Sequence, residues 1–229
     1  MDQTADVYLK ALAKEMAKRA NTDLAIQQSK YLKSLFPFFG LKSPERKEVI
    51  RTFENAHGKV PLDEIERVAK LAYQYKEREM HYFAMELIVK NKKKLEAKNL
   101  NLVEWLVTHN AWWDTVDLLA AHAVGMLNQK FTVLRSDIDS WIEHENMWLR
   151  RSALLHQLGY KEKTDTDKLF AFCLNRAHEK EFFIRKAIGW ALREYSKINP
   201  QAVEEFVHTH ANLSGLSKRE ALKHINKKR

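Results

Sequence analysis

Apolar residues recur at helical spacing along almost all of this 229-residue chain, while glycine (6) and proline (4) are scarce. An apolar rhythm at i, i+3, i+4 and i+7 builds amphipathic helices. Tight hairpins and Gly-rich phosphate loops need glycines and prolines that this sequence mostly lacks. Together these features predict an all-α fold. The spacing predicts helices near 4–20, 23–35, 44–56, 61–74, 77–91, 94–108, 112–127, 131–143, 147–158, 165–177, 181–197, 200–210 and 218–227. Several starts carry capping signals: Ser43-Pro44 and Asn199-Pro200 place a polar side chain before a proline, and Ser217-Lys218-Arg219-Glu220 reads as a capping box. Val60-Pro61 and Thr164-Asp165 open two more helices. Linkers are short, so neighbours should pack antiparallel as hairpins of roughly 30–40 residues. The expected architecture is a single HEAT-like or armadillo-like domain over residues 1–229, a superhelical stack with a concave basic groove.

Composition bounds the function. At 45% hydrophobic and 30% charged residues, the chain can bury a sizeable core. Its net charge of +9 favours a polyanionic partner. The runs Lys92-Lys93-Lys94 and Lys227-Lys228-Arg229 read as solvated helix ends. One cysteine, Cys173, excludes an internal disulfide, and its apolar helical setting marks it as a small buried hydrophobe. Met1-Asp2-Gln3-Thr4 lacks the form of a signal peptide, and no apolar run approaches the roughly 18 residues that span a bilayer. The chain is expected to be soluble and cytoplasmic. His109, His122 and His156 are isolated, and His208 and His210 diverge on a helix. Without CxxC or HExxH spacing, neither a metal nor a cofactor is expected. No GxSxG elbow occurs.

The stretch Ala111-Trp112-Trp113-Asp114-Thr115-Val116-Asp117 places two indoles and two carboxylates in under two helical turns. Trp113 and Asp117, four apart, share one face, while Trp112, Val116 and Leu119 form a more apolar stripe. An indole beside a carboxylate is a receptor for a cation. The same residues also suit a core tryptophan pair with a helix-capping acid. Two further segments mix Trp with Arg in apolar helices: Asn146-Met147-Trp148-Leu149-Arg150-Arg151 and Phe182-Phe183-Ile184-Arg185-Lys186-Ala187-Ile188-Gly189-Trp190-Ala191-Leu192-Arg193. Such arginines can reach phosphates while the indoles stack or pack. Lys186, Trp190 and Arg193 share a face that Lys197 continues. A mid-helix glycine such as Gly189 costs about 1 kcal/mol relative to alanine, which a close helix contact or an approaching ligand would explain.

These strings resemble the AlkD family of alkylpurine DNA glycosylases. So do Tyr31-Leu32-Lys33 with Phe39-Gly40-Leu41-Lys42-Ser43-Pro44-Glu45-Arg46, and Leu216-Ser217-Lys218-Arg219-Glu220-Ala221. The resemblance runs in order over nearly the whole chain and is thinnest in the first helix and over 55–100. It implies HEAT-like repeats and excision of cationic N3- and N7-alkylated purines from double-stranded DNA by a monofunctional glycosylase acting as a monomer. By motif, the catalytic tryptophans fall on Trp113 and Trp190 and the catalytic aspartate on Asp117. Tyr31 matches an active-site tyrosine, Arg151 a DNA-contacting arginine, and Arg193 a further backbone contact. Gly159 stands where a close homologue carries a lysine, so one phosphate contact is expected to be missing.

The resemblance also implies a mechanism. An alkylated purine already carries positive charge, so it leaves without a general acid. The catalyst must stabilise an oxocarbenium-like sugar, for which Asp117 supplies charge and the indoles cation–π attraction. The sequence also fits two alternatives: a helical-repeat protein that binds nucleic acid without cleaving it, and a helical-repeat scaffold for protein partners.

Overall fold

The computed structural model describes residues 2–228, with side chains for residues 5–227. The side chains of the N-terminal Met1–Thr4 motif and of Lys228 and Arg229 in the basic tail lie outside the described residues. All regular structure among the described residues is helical, as the periodicity requires. The chain divides into two compact units, residues 1–91 and 92–229.

The first unit contains α1 (Asp2–Lys18), α2 (Thr22–Tyr31), α3 (Ser43–His57), α4 (Ile65–Ala72) and α5 (Arg78–Lys90). Helix α4 packs on α1 and α5, and α1 also packs on α3. Leu9, Leu12, Met16, Val68, Ala69, Ala72, Met80 and Ile88 fill the core between them. Helix α2 buries none of its residues. It ends four residues before the periodicity predicts, because Lys33 and Ser34 turn into the left-handed region at φ 60° and 59°. Asn21 caps its start by accepting from the Leu24 amide at 2.9 Å. Helix α3 begins at Ser43 with Lys42 as the cap residue, so the Ser43 hydroxyl is not the cap that Ser43-Pro44 predicted.

A buried carboxylate closes this unit. Glu79, fully buried on α5, accepts from the backbone amides of Phe39, Gly40 and Leu41 at 3.0, 2.9 and 3.1 Å. That cradle needs glycine at position 40: φ is +90°, and a Cβ there would lie 2.0 Å from the Asn21 carbonyl oxygen.

The second unit contains α6 (Leu100–Thr108), α7 (Trp113–Leu118), α8 (Gly125–Lys130), α9 (Arg135–Ser140), α10 (Met147–Leu155), α11 (Thr166–Asn175), α12 (Phe182–Tyr195), α13 (Pro200–Thr209) and α14 (Gly215–Lys228). A π-helical segment, Leu119–Val124, joins α7 to α8, so the helix predicted over 112–127 is interrupted. Helix α10 is the hub, packing on α6, α7, α11, α12 and the π segment. Leu149 and Leu155 of α10, and Val116, Leu119, Ala123 and Leu127 on the facing elements, are fully buried. Cys173 is buried as expected, and burial pushes its thiol far above the usual range.

The caps of this unit are mostly those the sequence announces. Asn199 accepts from the Ala202 amide at 3.0 Å and Asp165 from the Lys168 amide at 3.0 Å. The Ser217–Glu220 box is a correction. Helix α14 already begins at Gly215, and Ser214 accepts from the Ser217 amide at 3.0 Å. The Ser217 hydroxyl instead donates to the Arg185 carbonyl at 2.9 Å, and Glu220 reaches across to α12. Both side chains serve the α12–α14 contact because the helix runs past them.

Candidate functional site

Helix α7 starts abruptly. Asn110 takes φ +45°, and Trp112 is extended at φ −155°, ψ 160°, so Trp112 is the cap residue and Trp113 the first residue in the helix. Asp114 in the first turn suits the positive end of the helix. Trp112, off the helix axis, packs its indole edge-on against Trp148 at 5.6 Å and Phe183 at 5.0 Å, and these two rings meet at 5.1 Å. The apolar stripe read from Trp112, Val116 and Leu119 is therefore core, with Val116 and Leu119 fully buried. Trp113 is half-buried and Asp117, one turn on, is 8% exposed. Asp117 lies two residues before the π segment, a type of irregularity concentrated at functional sites.

Burying a carboxylate requires a partner. Arg151, on α10 and only 4% exposed, supplies it as a two-pronged fork, Nε to Oδ1 at 2.7 Å and Nη2 to Oδ2 at 2.8 Å. Its Nη1 donates to the carbonyl oxygen of Phe183, in the first turn of α12. The same guanidinium lies 5.7 Å from the centre of the Phe183 ring. One side chain thus ties α7, α10 and α12 together. Burial raises the Asp117 carboxyl above its ordinary range, the Arg151 fork pulls it back, and the nearby Asp114 charge adds to the rise.

The structure brings some of the expected residues together and keeps others apart. Asp117 and Arg151 are in direct contact, and Trp113 sits on the Asp117 helix. Trp190 is half-buried on α12, seven residues beyond Phe183 and so on the same helical face. Gly189 beside it faces α14: a Cβ would meet the Glu220 Cβ at 2.5 Å and the Ser217 carbonyl oxygen at 2.9 Å. Arg193, one turn beyond Gly189, is held by Glu220 at 2.5 Å, and Lys186 shares that carboxylate at 3.0 Å. These two ion pairs hold the Glu220 carboxyl below the usual range, the Lys186 hydrogen bond contributing most. Tyr31 belongs to the first unit, at the end of α2, and is 71% exposed.

Sequence reading missed two features of the candidate site. It assigned Arg151 to DNA and not to Asp117. The clue was available, since an acid and an arginine each embedded in apolar helical stripes must find one another if both are buried. It also missed the Phe183 carbonyl, which no side-chain pattern reveals. Among the described residues, no group of three or more His, Cys, Asp or Glu side chains is placed to hold a metal, and no helix is long and apolar enough to cross a membrane.

A sequence profile described as DNA alkylation repair enzyme matches residues 12–225. A solved structure described as a predicted DNA alkylation repair enzyme from Enterococcus faecalis is 35% identical, with a TM-score of 0.83 over 91% of this chain and 97% of its own. AlkD2 from Streptococcus mutans superposes with a TM-score of 0.60 at 20% identity, over 80% of this chain and 90% of its own. The smu.31 protein of Streptococcus mutans UA159 also gives 0.60, at 17% identity over 94% and 98% of the two chains. The latter two speak to the fold alone. No curated protein sequence matches the chain. A profile match that takes in both Tyr31 and the Asp117–Arg151 pair, with a relative more than one-third identical over nine-tenths of the chain, places this protein in the DNA alkylation repair enzyme family.

Proposed function

We propose that this protein is a monofunctional DNA glycosylase that hydrolyses the N-glycosidic bond of cationic N3- and N7-alkylated purines in duplex DNA. The observation that carries the reading is Asp117, a buried carboxylate fixed by the Arg151 fork one helical turn from the Trp113 indole. A carboxylate held that way cannot rotate to relax as charge develops nearby, which is the preorganisation that electrostatic catalysis requires. As the C1′–N bond breaks, its electron pair neutralises the purine ring and the sugar becomes oxocarbenium-like. Asp117 stabilises that cation, orients the attacking water and takes its proton. The Trp113 and Trp190 indoles flank the sugar and add cation–π attraction.

Tyr31, Arg151 and Arg193 are assigned to DNA contact. A guanidinium has five N–H donors. Asp117 and Phe183 engage three of those on Arg151, and the remaining two are those a phosphate would meet. Arg193 reaches DNA by leaving Glu220. The two compact units act as one domain over residues 1–229, in keeping with a family profile that runs through both. The protein works as a cytoplasmic monomer with no metal or cofactor.

The decisive experiment is single-turnover release of base from a duplex containing N7-methylguanine. Wild-type protein should release free base well above the spontaneous rate, and Asp117→Asn should lose this activity by about 100- to 1,000-fold. The Arg151 pair itself favours one competing reading, in which Asp117 is only a structural ion-pair partner within a DNA-binding protein. Wild-type protein that binds the duplex with no release above background would establish that reading.

A further inference from the structure

A second concentration of chemistry lies in the second unit, in a cleft of about 460 Å³ between the end of α8 and the segment joining α10 to α11. Four cations line it, Lys130, Arg135, Lys163 and Lys168, against a single carboxylate, Asp165. Their charges are not equally available. Lys168 is matched by Asp139 at 2.6 Å. Lys130 donates to the carbonyl oxygens of Lys93 and Leu95 at 3.1 and 2.8 Å, which fixes its position without cancelling its charge. Arg135 and Lys163 are exposed and make no ion pair among the described residues. Asp165 is occupied as the cap of α11, accepting from the Lys168 amide.

The walls are fixed in advance. The Tyr160 hydroxyl donates to the Gly125 carbonyl at 2.7 Å and accepts from the Asn128 side-chain amide at 3.0 Å. Two hydrogen bonds thus lock the turn that presents Lys163 to the end of α8. Burial pushes the Tyr160 hydroxyl up to about 12, so it adds no negative charge to the cleft. Asn128 is almost fully buried, and its Oδ1 has no hydrogen-bond partner among the described residues. Like charges held around one rigid concavity repel each other unless an anion enters.

We propose that this cleft is a phosphate subsite in which Arg135 and Lys163, with Lys130 behind them, hold a DNA backbone phosphate away from the scissile sugar. The DNA source rests on the function proposed above, while the anion chemistry rests on the cleft alone. Backbone contacts of this kind set affinity and register and leave sequence and lesion choice to other residues.

The test uses the full-length protein and the double variant Arg135→Ala/Lys163→Ala. Binding of an undamaged duplex is followed by fluorescence anisotropy across a salt series from about 50 to about 200 mM. Pyrophosphate is titrated separately while the Asn128 side-chain amide is observed by NMR. In the double variant, the slope of log affinity against log salt should fall in magnitude by about one to two. The saturable pyrophosphate response of Asn128 should disappear. Lys163→Gln, which keeps the side-chain stem, should give about half the change in slope and separates charge loss from misfolding. Lost pyrophosphate binding with an unchanged slope would keep the subsite and assign it to a free phosphorylated compound. An unchanged slope with pyrophosphate binding that is absent from the wild type, or equal in the variant, overturns the proposal. If the double variant shows the slope change while wild-type protein releases no base, the glycosylase reading fails and the subsite stands.

Discussion

Glu79 in the first unit and Asp117 in the second are both buried and held by several hydrogen bonds, and the two are built in opposite ways. Glu79 is fully sealed and its partners are three backbone amides of the Phe39–Leu41 turn. Asp117 is partly open and its partner is a side chain from another helix. Backbone donors arrive with the fold, so Glu79 acts as a structural rivet. The Arg151 fork favours the charged form of Asp117 and holds it through a side chain, leaving it 8% exposed. Burial separates these acids only slightly, at 0% and 8% exposed; the origin of their donors separates them clearly.

The sharpest way to break the contrast is to neutralise each acid. Asp117→Asn should abolish most base release and also lower the melting temperature, because its amide N–H faces one prong of the Arg151 fork and leaves that buried guanidinium without a counter-charge; the loss per folded molecule is the larger effect. Glu79→Ala should do the reverse. Three buried amides lose their acceptor, costing on the order of 3–5 kcal/mol in urea denaturation, while base release per folded molecule stays within about twofold. A Glu79→Ala protein of unchanged stability would show that the cradle is not structural.

Acidity sharpens the comparison further. Because burial raises the Asp117 carboxyl, base release should fall with decreasing pH at a midpoint above the ordinary aspartate range. Arg151→Gln removes the opposing charge and should move that midpoint higher still. The linkage to stability has the opposite sense. A folded-state value above the unfolded one means the native protein binds the proton more tightly. The contribution of this site is therefore fully present below the unfolded value and is lost as pH rises through the folded one. A kinetic midpoint at or below the ordinary aspartate value would contradict the assignment of Asp117 as the acting carboxylate.

The smallest expected effect concerns the two glycines that permit close approach. Gly40 meets backbone and cannot be replaced without rebuilding the Glu79 cradle. Gly189 meets the Glu220 Cβ and the Ser217 backbone, so α14 itself must move to admit a methyl group. Gly189→Ala should cost about 1–3 kcal/mol in melting experiments. It should also loosen the grip of Glu220 on Lys186 and Arg193.

Much of the helical architecture was legible from periodicity, because a 3.6-residue rhythm and missing turn residues leave few alternatives. The predictions failed where the backbone departs from regularity. The left-handed pair Lys33-Ser34 and the π segment Leu119–Val124 are tertiary accommodations with no local signature. The Ser217–Glu220 box is a local signal overruled by the α12–α14 contact. The residue types of the candidate site were visible, since Trp113 and Asp117 fall four apart. Their pairing was not, because Arg151 lies 34 residues beyond Asp117 and only packing decides which acid it meets.

Arg151 joins three helices through one guanidinium. It anchors to two other helices at once, so a disturbance in any of the three is transmitted to the orientation of a single carboxylate. In a mutational scan scored by repair alone, the opening turn of α12 would light up as strongly as a reacting group while never meeting the substrate. Pairing that scan with a fold-sensitive readout would separate the levers from the hand.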